Sequence, residues 1–249
     1  GILFLLVDME ADLERALLYA GLAGAAIPLG AAFARIERLL PRWLDMELRP
    51  AVAAFGGGIL LAAVAFVLVP HGMERLAPLP VALALGGGGI LFLLVDKWLA
   101  ESGAKVAQLL AMLLDFLPEA VALGALLASG SPTGLLLALI IGLQNLPEAF
   151  NAYRELDASS ATPSGRRAFL VLTGCAFLGP LAAFLGYSVL GAHEPSVSVI
   201  MLAAAGGILY LSFQDISPQA RLDRAWGPPL GAVVGFLAGV MGHMMLGAG

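Results

Sequence analysis

Charge is scarce in this chain. Of its 249 residues only 12% are Asp, Glu, Lys or Arg, while 60% are hydrophobic, and the mean hydropathy is +0.93. Soluble domains carry about 25% charged residues, so an ordinary water-soluble fold is excluded. Cysteine is scarcer still. Cys175 stands alone, which rules out an intrachain disulfide and a cysteine metal cluster and leaves it as inert packing in an apolar segment. There is no GxxxxGK[ST] phosphate loop and little chain outside the apolar runs, so ATP-driven pumping by this chain alone is disfavoured. Also missing are a HExxH motif and a serine or cysteine nucleophile with a base. No enzyme activity, required cofactor or nucleic-acid partner is therefore expected.

What is present is long apolar runs. About 20 apolar residues cross a bilayer as a helix, and eight segments approach that length: 12–34, 50–70, 77–97, 105–128, 132–153, 167–190, 196–214 and 228–247. The expected fold is all-α: one polytopic, eight-helix transmembrane domain with no internal boundary. The 31 glycines fall largely inside these runs, as in Gly56-Gly57-Gly58 and Gly86 through Gly89, and suit close helix packing. Turns are marked by Ser129-Gly130-Ser131-Pro132, His193-Glu194-Pro195 and Gly227-Pro228-Pro229. The longest hydrophilic connections are 35–49 and 154–166.

Basic residues are strongly segregated. The odd-numbered loops hold Arg35, Arg38, Arg42, Arg49, Lys97, Lys105, Arg154, Arg166, Arg167, Arg221 and Arg224, leaving only Arg15 and Arg75 for the other side. Basic loops stay in the cytoplasm, which predicts both termini outside. An oddity lies at the start. Residues 1–8 read GILFLLVD, and 89–96 repeat them identically. The first copy is expected to derive from expression engineering or sequence assembly and is too short for a signal peptide; the native domain is then 9–249.

Charge within the apolar runs is the most informative feature. Leu117-Pro118-Glu119-Ala120 in the fourth run recurs as Leu146-Pro147-Glu148-Ala149 in the fifth. Each proline frees a helical carbonyl, and each glutamate would cost roughly 2.5–3.5 kcal/mol at the bilayer centre on insertion scales unless neutralised. Asp115 precedes Glu119 by four residues and Gln144 precedes Glu148 by four, so each pair shares a helical face. A short turn makes the two helices antiparallel neighbours, and Asp115, Glu119, Gln144 and Glu148 can converge. A divalent cation would offset their repulsion, and so would protons in a relay. The bland alternative is two kinks whose acids reach water at helix ends.

This pattern resembles the ZIP family of divalent metal transporters, whose fourth helix typically carries His-Asn-x-Pro-Glu-Gly. The family's fifth helix carries His-Glu-x-Pro-His-Glu or, in some bacterial members, Gln-Asp-x-Pro-Glu-Gly. Here the matching stretches are Asp115-Phe116-Leu117-Pro118-Glu119-Ala120 and Gln144-Asn145-Leu146-Pro147-Glu148-Ala149. The resemblance implies eight helices, both termini outside, and a metal site on helices four and five made by Asp115, Glu119, Gln144 and Glu148. It also implies a homodimer in a bacterial inner membrane and alternating access that brings Zn²⁺, Mn²⁺, Fe²⁺ or Cd²⁺ into the cytoplasm. Helices one, four, five and six would move against the other four. Asp115 replaces the family histidine, giving a harder, all-oxygen site that leans toward Mn²⁺ or Fe²⁺ relative to Zn²⁺. Phe116, Asn145 and Gly179 occupy positions where the family builds a second site, which reads as degraded. The histidine-rich loop after helix three is reduced to Lys97–Lys105. Two other readings stay open: a proton or other-cation pathway, and a non-transporting sensor or partner protein that kept the fold.

Other polar residues are weaker candidates. His71 beside Glu74, and His193-Glu194, sit at the outer boundary, where histidines are usually amphipathic. His243, among Met241, Met244 and Met245, is expected to pack with one hydrogen bond rather than bind metal. Asp215, after Gln214, is a candidate exit ligand or a solvated helix-end acid. Asn151 and Tyr153 could line an exit path or satisfy the backbone freed by Pro147.

Overall fold

The computed structural model describes residues 2–37, 42–102, 106–158, 165–190, 193–220 and 227–246. Among these there is no strand, and eight helical stretches are long and apolar enough to cross a membrane. In chain order they are α1 (Ala11–Ile36), α2 (Pro50–Met73), α3 (Pro78–Glu101), α4 (Ala107–Ala128), α5 (Gly134–Ala158), α6 (Arg166–Leu190), α7 (Pro195–Gln214) and α8 (Gly227–Leu246). All eight expected runs are found, with ends displaced by a few residues.

The larger displacements have local causes. The helix containing α1 runs Ile2–Glu37 and takes in all but the first residue of the repeated octapeptide. The helix leading into α2 begins at Arg42 and carries Pro50 inside it, and the preceding helix runs to Glu37, so most of the anticipated 35–49 connection is helical. α5 stays helical through 154–158, where a loop was expected. Its last turns are tied down by two carboxylates: Glu155 Oε2 accepts the Gln108 N–H at 2.8 Å, and Asp157 Oδ1 accepts the Gly165 N–H at 2.9 Å. Gly165 has φ 66°, a left-handed conformation that glycine tolerates best. A Cβ there would also lie 2.1 Å from the Tyr153 hydroxyl. Of the basic residues behind the topology argument, Arg38, Lys105, Arg221 and Arg224 lie outside the described residues, as do the side chains of Arg42 and Arg49.

Two helices widen where proline demands it. π-turns at Val64–Leu68 in α2 and Ser212–Ile216 at the end of α7 each lie just before a proline, Pro70 and Pro218. A proline ring clashes with the carbonyl four residues earlier, and a wider turn relieves that clash. α6 carries a third such turn at Gly186–Leu190 and breaks at Phe177, shortly before Pro180.

Packing sorts the spans. α8 lies on α2, and α3 on α7, with α2 also meeting α7; α1, α4, α5 and α6 pack mutually. α2 and α7 join the two groups through contacts with α5 and α4 respectively. α3 and α8 are peripheral: only 11% of each apolar window is buried, against 61% for α5. α1 meets the centre with a stripe of small residues, Ala16, Ala20, Ala23, Ile27, Ala31 and Ala34, all nearly or wholly buried. Hydrocarbon gives apolar side chains no reason to leave it, so close backbone approach does the work of cohesion. Gly30 shows how close: a Cβ there would stand 2.3 Å from the Leu146 carbonyl oxygen.

Candidate metal site

The α4–α5 turn is closed by side chains that cap it. Ser129 Oγ donates to the Leu126 carbonyl at 2.8 Å, Ser131 and Thr133 hydroxyls pair at 2.7 Å, and Gly130 adopts φ 70°. The chain thus reverses directly, and the two helices run antiparallel in contact. Their register is given by two hydrogen bonds. Gln144 Nε2 donates to Glu119 Oε2, and the Gln108 N–H, about three turns away along α4, donates to Glu155 Oε2. Both bonds belong to one antiparallel register, which sets Asp115 opposite Glu148 and Met112 opposite Asn151.

The four anticipated ligands therefore meet at one helix–helix contact. Glu119 and Gln144 have no solvent exposure and Asp115 only 4%. Glu148 is half-buried as a residue, but both its carboxylate oxygens are shielded from solvent. Asp115 and Glu119 are close enough for their charges to act on Glu148, and Asp115 acts on Glu119. Among the described residues no three His, Cys, Asp or Glu side chains form a ready-made metal cluster; the acids are electrostatic neighbours, with an amide between them.

A cavity of about 50 Å³ reaches the site from the face where α2 and α4 begin. Asp115 and Glu148 line it with Gln108, Asn151, Gly56 and Gly57. Glu119 and Gln144 lie one turn deeper and are not part of its wall. Gly56 is needed on the α2 side, because a Cβ would lie 2.6 Å from the Pro147 ring. The volume suits an ion with one or two waters, since a water takes about 30 Å³ in the liquid.

The hydrogen-bond accounts of these residues are one-sided. Glu119 Oε1, Gln144 Oε1, Asn145 Oδ1 and both Glu148 oxygens are buried without a hydrogen-bond partner among the described residues. The amide nitrogen of Gln144 donates to Glu119 and that of Asn145 to the Ala23 carbonyl of α1 at 3.0 Å.

The departures from the family pattern fit together sterically. Phe116 is fully buried, and a Cβ at Gly179 would lie 2.4 Å from its Cζ. The ring of α4 rests on the bare backbone of α6, so an acid at 179 could not coexist with it.

The minor candidates scatter. His71 uses both ring nitrogens: Nδ1–H donates to the Val67 carbonyl, and Nε2 accepts from the Thr133 hydroxyl, each at 3.0 Å. With Glu74, Arg75, Ser131 and Ser198 it lines a cavity of about 220 Å³ at the α4–α5 turn. His193 is an exposed turn residue whose N–H bonds the Leu190 carbonyl at 2.8 Å; the side chain of Glu194 lies outside the described residues. His243 is half-buried and stacks on Phe66, centroids 5.0 Å apart. The hydrogen bond expected for it is not made at Nδ1, which is buried without a partner among the described residues. Gln214 is exposed, and the Asp215 side chain lies outside the described residues. Asn151 lines the inner cavity, whereas Tyr153 packs at the Gly165 turn. Gln108 and Glu155 were not singled out from sequence. Their signal was there: each lies seven residues, two turns, from an acid of the site on the same helical face.

No family model matches the chain. Among curated proteins it is similar to zinc transporter ZIPB of Bordetella bronchiseptica, 29% identical over 252 residues that span 92% of this chain and 80% of the relative. A match over 92% of the chain takes in both Pro-Glu motifs, the features that face each other across α4 and α5. That similarity agrees with the resemblance to the ZIP family read from the two motifs.

Proposed function

We propose that this protein carries divalent transition-metal ions across the membrane, through the site made by Asp115, Glu119, Gln144 and Glu148. One observation carries the reading: oxygens of Glu119, Gln144 and Glu148, on the facing sides of α4 and α5, are buried without a hydrogen-bond partner among the described residues. Buried polar groups without partners cost about 1–3 kcal/mol each. Protons would answer the carboxylates alone, because amide oxygens do not protonate near neutral pH. A cation answers all of them, and so is favoured over a proton relay. That the ZIPB relative is named a zinc transporter agrees with the class of cargo.

The donors are oxygens of carboxylates and amides, so Mn²⁺ and Fe²⁺ gain relative to Zn²⁺, although the affinity order still favours zinc where geometry permits. The cation would pass from the deep Glu119–Gln144 level to the Asp115–Glu148 level and leave through the inner cavity. The segregation of basic residues supports a cytoplasmic location for that exit and puts both termini outside. Alternating access follows the packing groups, with α1, α4, α5 and α6 moving as one body against α2, α3, α7 and α8.

Uptake of Zn²⁺, Mn²⁺, Fe²⁺ and Cd²⁺ into proteoliposomes tests this, comparing the native chain with Glu119→Ala and Glu148→Ala. Saturable flux of at least one ion, lost in both variants, is expected. Folded native protein that moves no metal above empty liposomes refutes it, and proton flux in its place would return the acids to a relay.

A further inference from the structure

α4 begins badly capped. Its N-cap residue, Val106, has φ −142° and no side chain able to accept from the first turn. The four leading N–H groups of a helix have no intrahelical partner, and a hydrocarbon boundary is a poor place to leave them. The Gln108 N–H is instead met from 47 residues away, by the carboxylate of Glu155 at 2.8 Å. A carboxylate at this end also opposes the positive pole of the helix.

Glu155 is not anywhere on α5. It continues the face that carries Gln144, Glu148 and Asn151, in steps of three and four residues. The bond it makes is the inner of the two that define the α4–α5 register, while the outer one, Gln144 to Glu119, is made by the proposed ligands themselves. Between the two bonds lie Asp115 and Glu148. The Gln108 residue held by Glu155 also lines the cavity that Asp115 and Glu148 share, and a second cavity beside Asp96. We infer that Glu155 is a positioning residue for the cation site: its bond to the start of α4 keeps α4 in the register that sets Asp115 opposite Glu148. This rests on the proposed function for its consequence, but its geometric claim can be tested without metal.

Two measurements separate the claims. The first uses thiols at the opposed positions, Met112→Cys with Asn151→Cys in a Cys175→Ser background, and a short bis-thiol reagent. The native register is expected to cross-link in the Glu155 and Glu155→Gln forms, and Glu155→Ala to cut the yield severalfold. Equal yields in all three overturn the inference, whatever metal does. The second measures Mn²⁺ and Zn²⁺ affinity of the folded protein without added thiols. Loss of a positioning partner around a metal site weakens binding by about tenfold or more, so Glu155→Ala should show that loss. Glu155→Gln, which keeps an acceptor oxygen, should stay close to native. An equal loss in Gln and Ala would also overturn it, because the charge and not the bond would then matter. Native protein that cross-links as expected yet binds no metal would sink the proposed function and leave the register intact.

Discussion

Exchanging Glu148 for glutamine isolates the charge of one proposed ligand, since shape and one acceptor oxygen are kept. The buried carboxylates of Asp115 and Glu119 both act on it. By Coulomb's law, two like charges about 5–8 Å apart at an effective dielectric near 20 repel by about 2–3 kcal/mol, the scale taken for each pair. Part of that cost is relieved in the ion-free protein whenever the acid takes up a proton. The metal-free Gln variant should therefore be as stable as the native protein, or more stable by up to about 2 kcal/mol. Metal reverses the order. An ion at a hundred times its dissociation constant stabilises the native fold by about 2.7 kcal/mol, or roughly 5–10 °C for a chain of this size. Glu148→Gln should lose most of that rise. The assay is thermal unfolding in detergent by tryptophan fluorescence, with and without Mn²⁺ or Zn²⁺. A variant that is markedly less stable without metal, yet keeps the full metal-induced rise, would show that Glu148 is a structural acid and that the reasoning from buried acceptors is wrong.

Other substitutions test the frame around the site. Gly30→Val would press a side chain into the Leu146 carbonyl, 2.3 Å from its Cβ; a loss of about 1–3 kcal/mol by overpacking and reduced metal uptake are expected. Gly165→Ala meets both a left-handed backbone, φ 66°, and the Tyr153 hydroxyl, so lower thermal stability by more than about 1 kcal/mol should appear in the same unfolding assay. Phe116→Ala empties a fully buried ring position against Gly179 and should cost about 3–5 kcal/mol. Gly179→Asp in the native background should fail to accumulate folded protein, and the Phe116→Ala change should partly rescue it.

The spans were legible because hydrocarbon leaves a plain mark: a run of apolar residues about 20 long needs no tertiary partner to be recognised. The four proposed ligands were legible for the opposite reason, as acids and an amide where apolar residues belong. Helix ends were read less well. Residues 154–158 look hydrophilic and loop-like, but Glu155 and Asp157 are bound to the starts of α4 and α6, and such long-range bonds leave no local trace. Phe116 and Gly179 had each been read as a lost polar group. Only their contact shows that they form one packing unit, in which the ring takes the space a side chain at 179 would need. The π-turns at Val64–Leu68 and Ser212–Ile216 had a visible cause in Pro70 and Pro218, yet proline alone does not say whether a helix will kink, stop or widen.

The same bookkeeping of donors and acceptors bears on how a carrier releases its cargo. A site whose empty form satisfied every oxygen internally would have no electrostatic reason to take up a cation; one with too many ligands would not let it go. Here the Gln144 nitrogen is held by Glu119, which on the proposed function leaves its oxygen for a cation without adding charge. Asp115 and Glu148 face a small cavity, while Glu119 and Gln144 are sealed behind them. Water can therefore reach the shallow pair first and compete for the ion there, because hydration of a divalent cation offsets the loss of carboxylate contacts only where water is present. On the proposed function, release would then begin at Asp115 and Glu148, with the deep pair keeping its hydrogen bond. On this account Gln144→Leu, which removes the deep amide but no charge, should slow uptake more than release, whereas Asp115→Asn should weaken ion retention on the cavity side. Efflux from loaded proteoliposomes measured beside uptake distinguishes the two, and equal effects on both rates would mean that the two levels do not act in sequence.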